Sequence, residues 1–335
     1  LERLEGAVMR ALLWMVIAVA VTWGGYWFVG ARALETGAQA WFRSRTEAGL
    51  VAEHGVLSVS GFPNRFDLTV TDLRLADPGT GYGWTAPFVQ VLSLSYKPWH
   101  IIAVFANQQQ VRTPWQDLAV ASDKLQGSVV IVPGTNLALD RLTLVGDAMR
   151  VTSDLGWTAS VDTLRFATEQ VGTDGTRHEI GLELLDLEPD PSVTAGLPDF
   201  PKVLEKLRLD AVVTLTAPLD RRAGQTHPRP SQIDVKEVQL VWGSLVLFGT
   251  GSIAAAADGV AEGRIALRLT NWREAIPLAV TAGLIKPEAA PTWENMFALL
   301  AAQTGDPGDL DLPLVFARGR MSLGPLPLGP APRMN

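Results

Sequence analysis

The sequence has no cysteine. That excludes disulfide frameworks, cysteine-ligated zinc, iron–sulfur clusters and thiol catalysis, and leaves either redox compartment open. Histidine is scarce: His54, His100, His178 and His227 are the four in 335 residues, few ligands for a transition metal. No block of lysine and arginine occurs, and 28 basic against 35 acidic side chains give a formal charge of −7. Sequence-independent nucleic-acid binding needs clustered positive charge, so no nucleic-acid partner is expected. No metal and no cofactor are expected either. Apolar residues make up 47% of the chain, enough for a sizeable core and against global disorder.

What is present begins with a long uncharged run, Ala11 to Val29, with Trp14 inside it. As a helix it reaches about 28 Å, close to the thickness of a bilayer's hydrocarbon core. Trp23, Tyr26, Trp27 and Phe28 crowd its C-terminal end, where aromatic rings favour the headgroup level. Ala31-Arg32-Ala33 offers a small-x-small cleavage site, but the length and the aromatic belt favour an uncleaved anchor. Arginines flank both ends, so charge alone leaves the orientation open. An N-terminal anchor followed by a large domain predicts the N-terminus inside and the domain outside the cytoplasm. Arg32, Arg43 and Arg45 follow the run and are the candidate contacts to anionic headgroups.

Leu34, Ala38, Trp41 and Phe42 then repeat at helical spacing. After Leu50 the period changes to two. Phe66, Leu68 and Val70 alternate with polar residues, and Leu73 and Leu75 continue after a slip of one residue, which predicts a bulge. Alternating runs recur around residues 92–96, 137–144, 157–161, 180–184, 207–215, 238–242 and 265–269. Turn residues separate them, with no βαβ rhythm, so antiparallel pairing is expected. Asn271 and Thr292 are read as caps of two late helices, with Gly305 stopping the second. The proline-rich end, Leu323 to Arg333, reads as extended and poor in hydrogen bonds.

The expected class is therefore mainly β (α+β). A transmembrane helix precedes a large antiparallel sheet, curved or drawn out as a tape, with a few late helices. The expected divisions are a cytoplasmic tail (1–10), an anchor (11–29), a helical stem (30–49) and a first β-rich half (50–188). A proline-rich connection (189–206) leads to a second β-rich half (207–335), with helices near 272–284 and 293–303.

Several segments carry a further pattern. Ser60-Gly61-Phe62-Pro63-Asn64-Arg65-Phe66-Asp67 and Gly83-Trp84-Thr85-Ala86-Pro87 stand in the first half. Trp242-Gly243-Ser244-Leu245, Asn271-Trp272-Arg273, Leu312-Pro313-Leu314, Gly319 and Leu323-Gly324-Pro325 stand in the second. With the anchor, these resemble a bacterial family of single-span inner-membrane proteins described as a domain of unknown function. The layout is also similar to AsmA-type architecture, which implies envelope lipid homeostasis or lipid transport. The resemblance brings no catalytic residues with it.

Candidate chemistry is thin. Gly79-Thr80-Gly81-Tyr82-Gly83 lacks the following helix that a phosphate loop needs and reads as a hairpin loop. Asp306, Asp309 and Asp311 lack EF-hand spacing and read as a solvated acidic turn. Arg177-His178-Glu179 reads as polar residues at the surface, and no nucleophile–base set can be assigned. Lys97-Pro98-Trp99 opens an apolar run to Phe105, read as a buried strand or, alternatively, as a membrane-touching edge. The loop with Arg221, Arg222 and Arg229 reads as solvated. The function expected is non-enzymatic: an inner-membrane protein, single-pass, whose C-terminal domain lies in the periplasm and binds or moves lipid along an apolar groove. The partners are then the phospholipid membrane and a lipid ligand. The competing expectation is an assembly factor holding another envelope protein through a strand edge; an enzyme is the third class.

Overall fold

A computed structural model of the chain describes residues 2–197, 200–304 and 306–334. It forms two compact units, Leu1–Ala119 and Val120–Asn335.

The first unit opens with α1 (Glu2–Glu47), one unbroken helix of 46 residues and about 69 Å. The anchor and the stem are thus a single rod. Its first part is long and apolar enough to cross a membrane. The unit's strands are β1 (Val51–Glu53), β2 (Leu57–Ser60), β3 (Arg65–Asp77), β4 (Tyr82–Leu94), β5 (Lys97–Phe105) and β6 (Gln108–Arg112). β1 and β2 pair in turn with β3, β3 with β4, and β4 with β5 and β6, all antiparallel. Leu34, Ala38 and Phe42 of α1 pack on Leu68, Val70 and Leu73 of β3. The helical stripe read from the sequence is therefore the one that docks. Trp41, on its flank, stays exposed beneath the Arg45 guanidinium, 5.5 Å from the ring centre.

The slip between Val70 and Leu73 is real, but it is not a bulge. The register of β3 with β4 runs on unshifted, from Thr71–Phe88 to Leu73–Ala86. Asp72 takes a left-handed conformation, φ 49°, opposite Pro87, and turns the alternation over without an extra residue.

β7 (Asp117–Ala121) falls at the division between units in sequence. The second unit contains β8 (Lys124–Ile131), β9 (Leu139–Ser153), β10 (Thr158–Gln170), β11 (Arg177–Glu188), β12 (Leu204–Leu215) and a single helical turn α2 (Ala223–Thr226). β13 (Pro230–Trp242), β14 (Leu245–Ala255), β15 (Ala261–Thr270), α3 (Ala275–Thr281), α4 (Ala290–Thr304), β16 (Asp309–Ala317), β17 (Arg320–Leu323) and β18 (Leu326–Pro330) follow. From β8 to β18 each strand pairs antiparallel with the next in the chain. The class read from the sequence, mainly β and antiparallel with an N-terminal apolar helix and late short helices, is the class observed.

Three expectations need correction, and one division is refined. The proline-rich connection joins strands of one continuous sheet: β11 and β12, on its two sides, pair from Arg177–Thr214 to Leu187–Leu204. β12 accordingly begins at Leu204, inside the stretch assigned to the connection. Pro198 and Asp199 of that stretch, and Gly305 after α4, lie outside the described residues. Asn271 does not cap by its side chain; it sits at φ 55° and its Nδ2 donates to the Ser244 carbonyl at 2.8 Å. Thr292 lies within α4 rather than before it. The C-terminal stretch is not poor in hydrogen bonds: β18 pairs with β17, and the Ala261 and Met334 amides bond the Pro332 and Gly259 carbonyls.

Candidate functional site

Two places gather the residues of interest. The first is the joint between α1 and the β-strands of its own unit. Trp23, Trp27, Ala31, Leu34, Ala38 and Phe42 follow one another at intervals of three or four, so they share a helix face. At the upper end of that face, indole and phenol groups reach backbone carbonyls. Trp23 Nε1 donates to Pro63 O at 3.0 Å, Trp27 Nε1 to Arg65 O at 2.6 Å, and Tyr26 Oη to Ser95 O at 2.7 Å. Phe66 stacks on Trp27 with centroids 6.1 Å apart, and Phe62 meets Trp27 edge-on at 5.3 Å. Gly30 lets the strand approach: a Cβ there would lie 2.6 Å from Phe66 Cζ. Arg65 pairs with the buried Asp67. The Ser60–Asp67 segment is thus the socket for the aromatic end of the helix.

This changes the roles assigned from sequence. Trp27 is only 6% exposed, so its indole is closed to headgroups by the protein itself. Trp23 and Tyr26 have their polar ends bonded to the strands, while Trp14 and Phe28 stay exposed. The arginines separate as well. On a continuous helix Arg32 lies about 5 Å beyond Val29, but Arg43 and Arg45 lie about 21 and 24 Å beyond it. A headgroup layer is roughly 5–8 Å deep on each side. If α1 crosses a bilayer along its normal with Val29 at the core boundary, Arg32 lies at headgroup depth, and Arg43 and Arg45 lie beyond it.

The second place is one face of the second unit's sheet. Directly paired residues point to the same side. One row runs Leu125–Gly146–Leu164–Leu184–Leu207–Leu240–Leu247–Leu269–Leu310 across β8 to β16. The next runs Gly127–Leu144–Phe166–Leu182–Leu209–Val238–Gly249–Leu267–Leu312 over the same strands. Alternation turns over along a line through Ala148 and Asp186, both left-handed at φ 48° and 52°. Beyond it Met149, Val161, Leu187 and Leu204 continue the pairing across β9 to β12. The Met149 sulfur lies over Gly146, where a Cβ would meet it, which places Met149 on the apolar side.

The opposite face carries charge. Lys124–Asp147, Arg141–Glu169, Arg165–Glu183, Arg208–Glu237 and Arg268–Asp311 pair on it across strands. Exposed pairs of this kind stabilise little; their effect is to keep that face in water. Among the described residues this face is covered in two places: Ala331 and Met334 pack against Val235, Ala261, Ile265 and Phe316, and the late helices close its end. Trp272, Ile276, Phe297 and Ala301 of the late helical segment cover Leu269, Leu310 and Leu312. Leu144, Leu164, Phe166, Leu182, Leu184 and Leu207 are half-buried.

The remaining candidates resolve individually. The glycine-rich segment is a tight hairpin, with the Gly81 amide on Asp77 O and the Gly79 amide on Asp77 Oδ1. The three late aspartates are engaged separately: Asp306 caps Gly308, Asp309 accepts from Thr270, and Asp311 pairs with Arg268. His178 is not a surface residue. It is 2% exposed on the apolar side, with Nε2 3.3 Å from the Gly175 carbonyl. Loops 132–140 and 170–175, with Pro218, Asp220 and Arg222, line a shallow cavity of about 520 Å³.

In those loops the Thr176 amide holds the Asp174 carboxyl below its ordinary range, and the Arg222 amide does the same for Asp220. A lowered carboxylate contributes stability above its unfolded pKa and loses it as pH falls through the folded one. The loops should therefore be indifferent to pH near neutrality and loosen only below about pH 4. An NMR titration should show the Thr176 and Arg222 amides moving together with their carboxylates in that range. Movement near pH 6 instead would contradict this account.

The fold and the joint define a protein with a single apolar N-terminal helix docked by its aromatic end onto strands, followed by an amphipathic antiparallel meander. The chain belongs to the family described as "Uncharacterized protein conserved in bacteria (DUF2125)", whose model matches residues 27–332. No curated protein and no solved structure matches it.

Proposed function

We propose that the chain is a non-enzymatic protein of the bacterial inner membrane, held by α1 with its strands in the periplasm, and that the apolar face of the second unit binds the acyl chains of a lipid. The observation that carries this reading is the unequal cover of the leucine rows. α3 and α4 close them at β14 to β16, whereas over β9 to β12 the same rows are only half-buried. Acyl chains need such a dry strip without polar partners, and the salt-bridged reverse face keeps the sheet in water. The likeness to AsmA-type architecture noted in the sequence agrees with this. Assembly through a strand edge has less support, because β18 carries Pro327 and Pro330, which blunt an edge for pairing.

Leu182 and Leu209 are cross-strand neighbours in the half-buried part of one row. A Leu182→Glu/Leu209→Glu variant places two carboxylates on the strip. The wild-type protein, extracted in detergent and examined by native mass spectrometry with lipid analysis, should carry an enriched phospholipid class. The variant should lose it, whereas a Leu182→Ala/Leu209→Ala control, which gives up packing against the Val235–Phe316 cluster without adding charge, should keep it. A wild-type protein without lipid, or a glutamate variant that keeps it, would overturn the reading.

A further inference from the structure

We infer that the first unit does not stand clear of the bilayer but dips its loop tips into it. Residues 61–64, the β4–β5 turn at 95–96 and the first residues of β5, 97–99, would form a collar in the membrane interface around α1. This rests on the reading that α1 crosses the bilayer. The argument is one of length. The uncharged run is Ala11–Val29, and its contact-free part ends at Thr22, since Trp23 already bonds Pro63. Those first 12 residues span about 18 Å, against roughly 30 Å of hydrocarbon core. Sliding the helix the other way brings Arg10, Glu5 and Arg3 into the core, which is costly. The missing length must therefore come from residues 23–29. That stretch is also where the helix carries the two tips, through Trp23 to Pro63, Tyr26 to Ser95 and Trp27 to Arg65.

The side chains at the tips suit that position. Phe62 is 56% exposed beside Phe28, with ring centroids 5.6 Å apart, and Tyr96 is 59% exposed. Lys97 and Trp99 are exposed next to it. Tyr, Trp and Lys are the residue types that settle at headgroup depth, and Tyr96, Lys97 and Trp99 bring all three together. The partner this surface fits is the lipid interface itself.

The absence of native cysteine makes the test direct. Single-cysteine full-length variants Val16→Cys, Phe62→Cys, Tyr96→Cys and Tyr82→Cys are labelled with a polarity-sensitive fluorophore. They are reconstituted into phosphatidylethanolamine–phosphatidylglycerol vesicles with and without nitroxide-bearing lipids. Tyr82 is exposed at the far end of β4, about 40 Å along the strand from Leu94. Positions 62 and 96 should show blue-shifted emission and severalfold stronger quenching by shallow nitroxides than position 82. Because Phe62 also packs in the joint, position 96 provides the reading if the first variant folds poorly. Quenching at 16 with none at 62 and 96 beyond that at 82 would overturn the collar and leave the anchor standing. No quenching at 16 would overturn the anchor, and the collar with it.

Discussion

Replacing Trp27 with alanine is expected to destabilise the first unit by about 3–5 kcal/mol, the range for emptying a buried tryptophan site. The indole touches Phe62 and Phe66 and supplies the donor for the Arg65 carbonyl. Alanine leaves a hole between helix and strands that neither can close, since Trp23 and Tyr26 hold the spacing from the other side. Trp27→Phe keeps one ring but lacks the second and the N–H, so it should lose about 2 kcal/mol. Chemical denaturation in detergent distinguishes the three proteins, and limited proteolysis near residues 60–67 should accelerate in the alanine variant alone. If Trp27→Ala unfolds with the wild type, the aromatic end of α1 does not hold the strands.

Trp272→Ala should have an effect of similar size, about 3–5 kcal/mol, but confined to the late helices. Trp272 is 1% exposed, its Nε1 donates to Pro307 O at 3.1 Å, and Phe297 meets its ring edge-on. It ties the loop before β16 to α4, and Arg273 stacks on its outer face at 4.4 Å. Without it, α3 and α4 should detach from Leu269, Leu310 and Leu312 before the strands separate. Hydrogen exchange should then show early loss of protection over 290–302, with β9 to β12 unchanged. Uniform loss across the second unit would mean that the helices are part of one cooperative core rather than a cover.

Much of the fold was legible because burial on one side leaves a period in the sequence. Leu207 to Leu215 and Ile265 to Leu269 alternate plainly and are strands β12 and β15. β14 was not legible, since Gly249 and Gly251 occupy its places in the apolar rows and erase the alternation. β8 has the same defect at Gly127, followed by the unbroken Val129-Val130-Ile131. The slip at Asp72 could be read as a change of phase, but a left-handed residue and a bulge give similar patterns in one strand. Only the partner's register separates them. The joint was half legible. Its donors, Trp23, Tyr26 and Trp27, stood out as aromatics and suggested lipid. Its acceptors are the carbonyls of Pro63, Arg65 and Ser95, and a carbonyl belongs to every residue, so no sequence pattern marks it.

From β8 to β18, order along the chain is order across the sheet. Such a sheet pairs only strands adjacent in sequence, so apart from the stretch 271–308 that holds α3 and α4 it closes no long loop, which favours fast assembly. A chain delivered N-terminus first always offers the next strand an edge already in place, so the unit can zip up during its own synthesis or export. The same ordering makes length adjustable. A hairpin added or removed within the meander rethreads nothing and only lengthens or shortens the leucine rows by two strands.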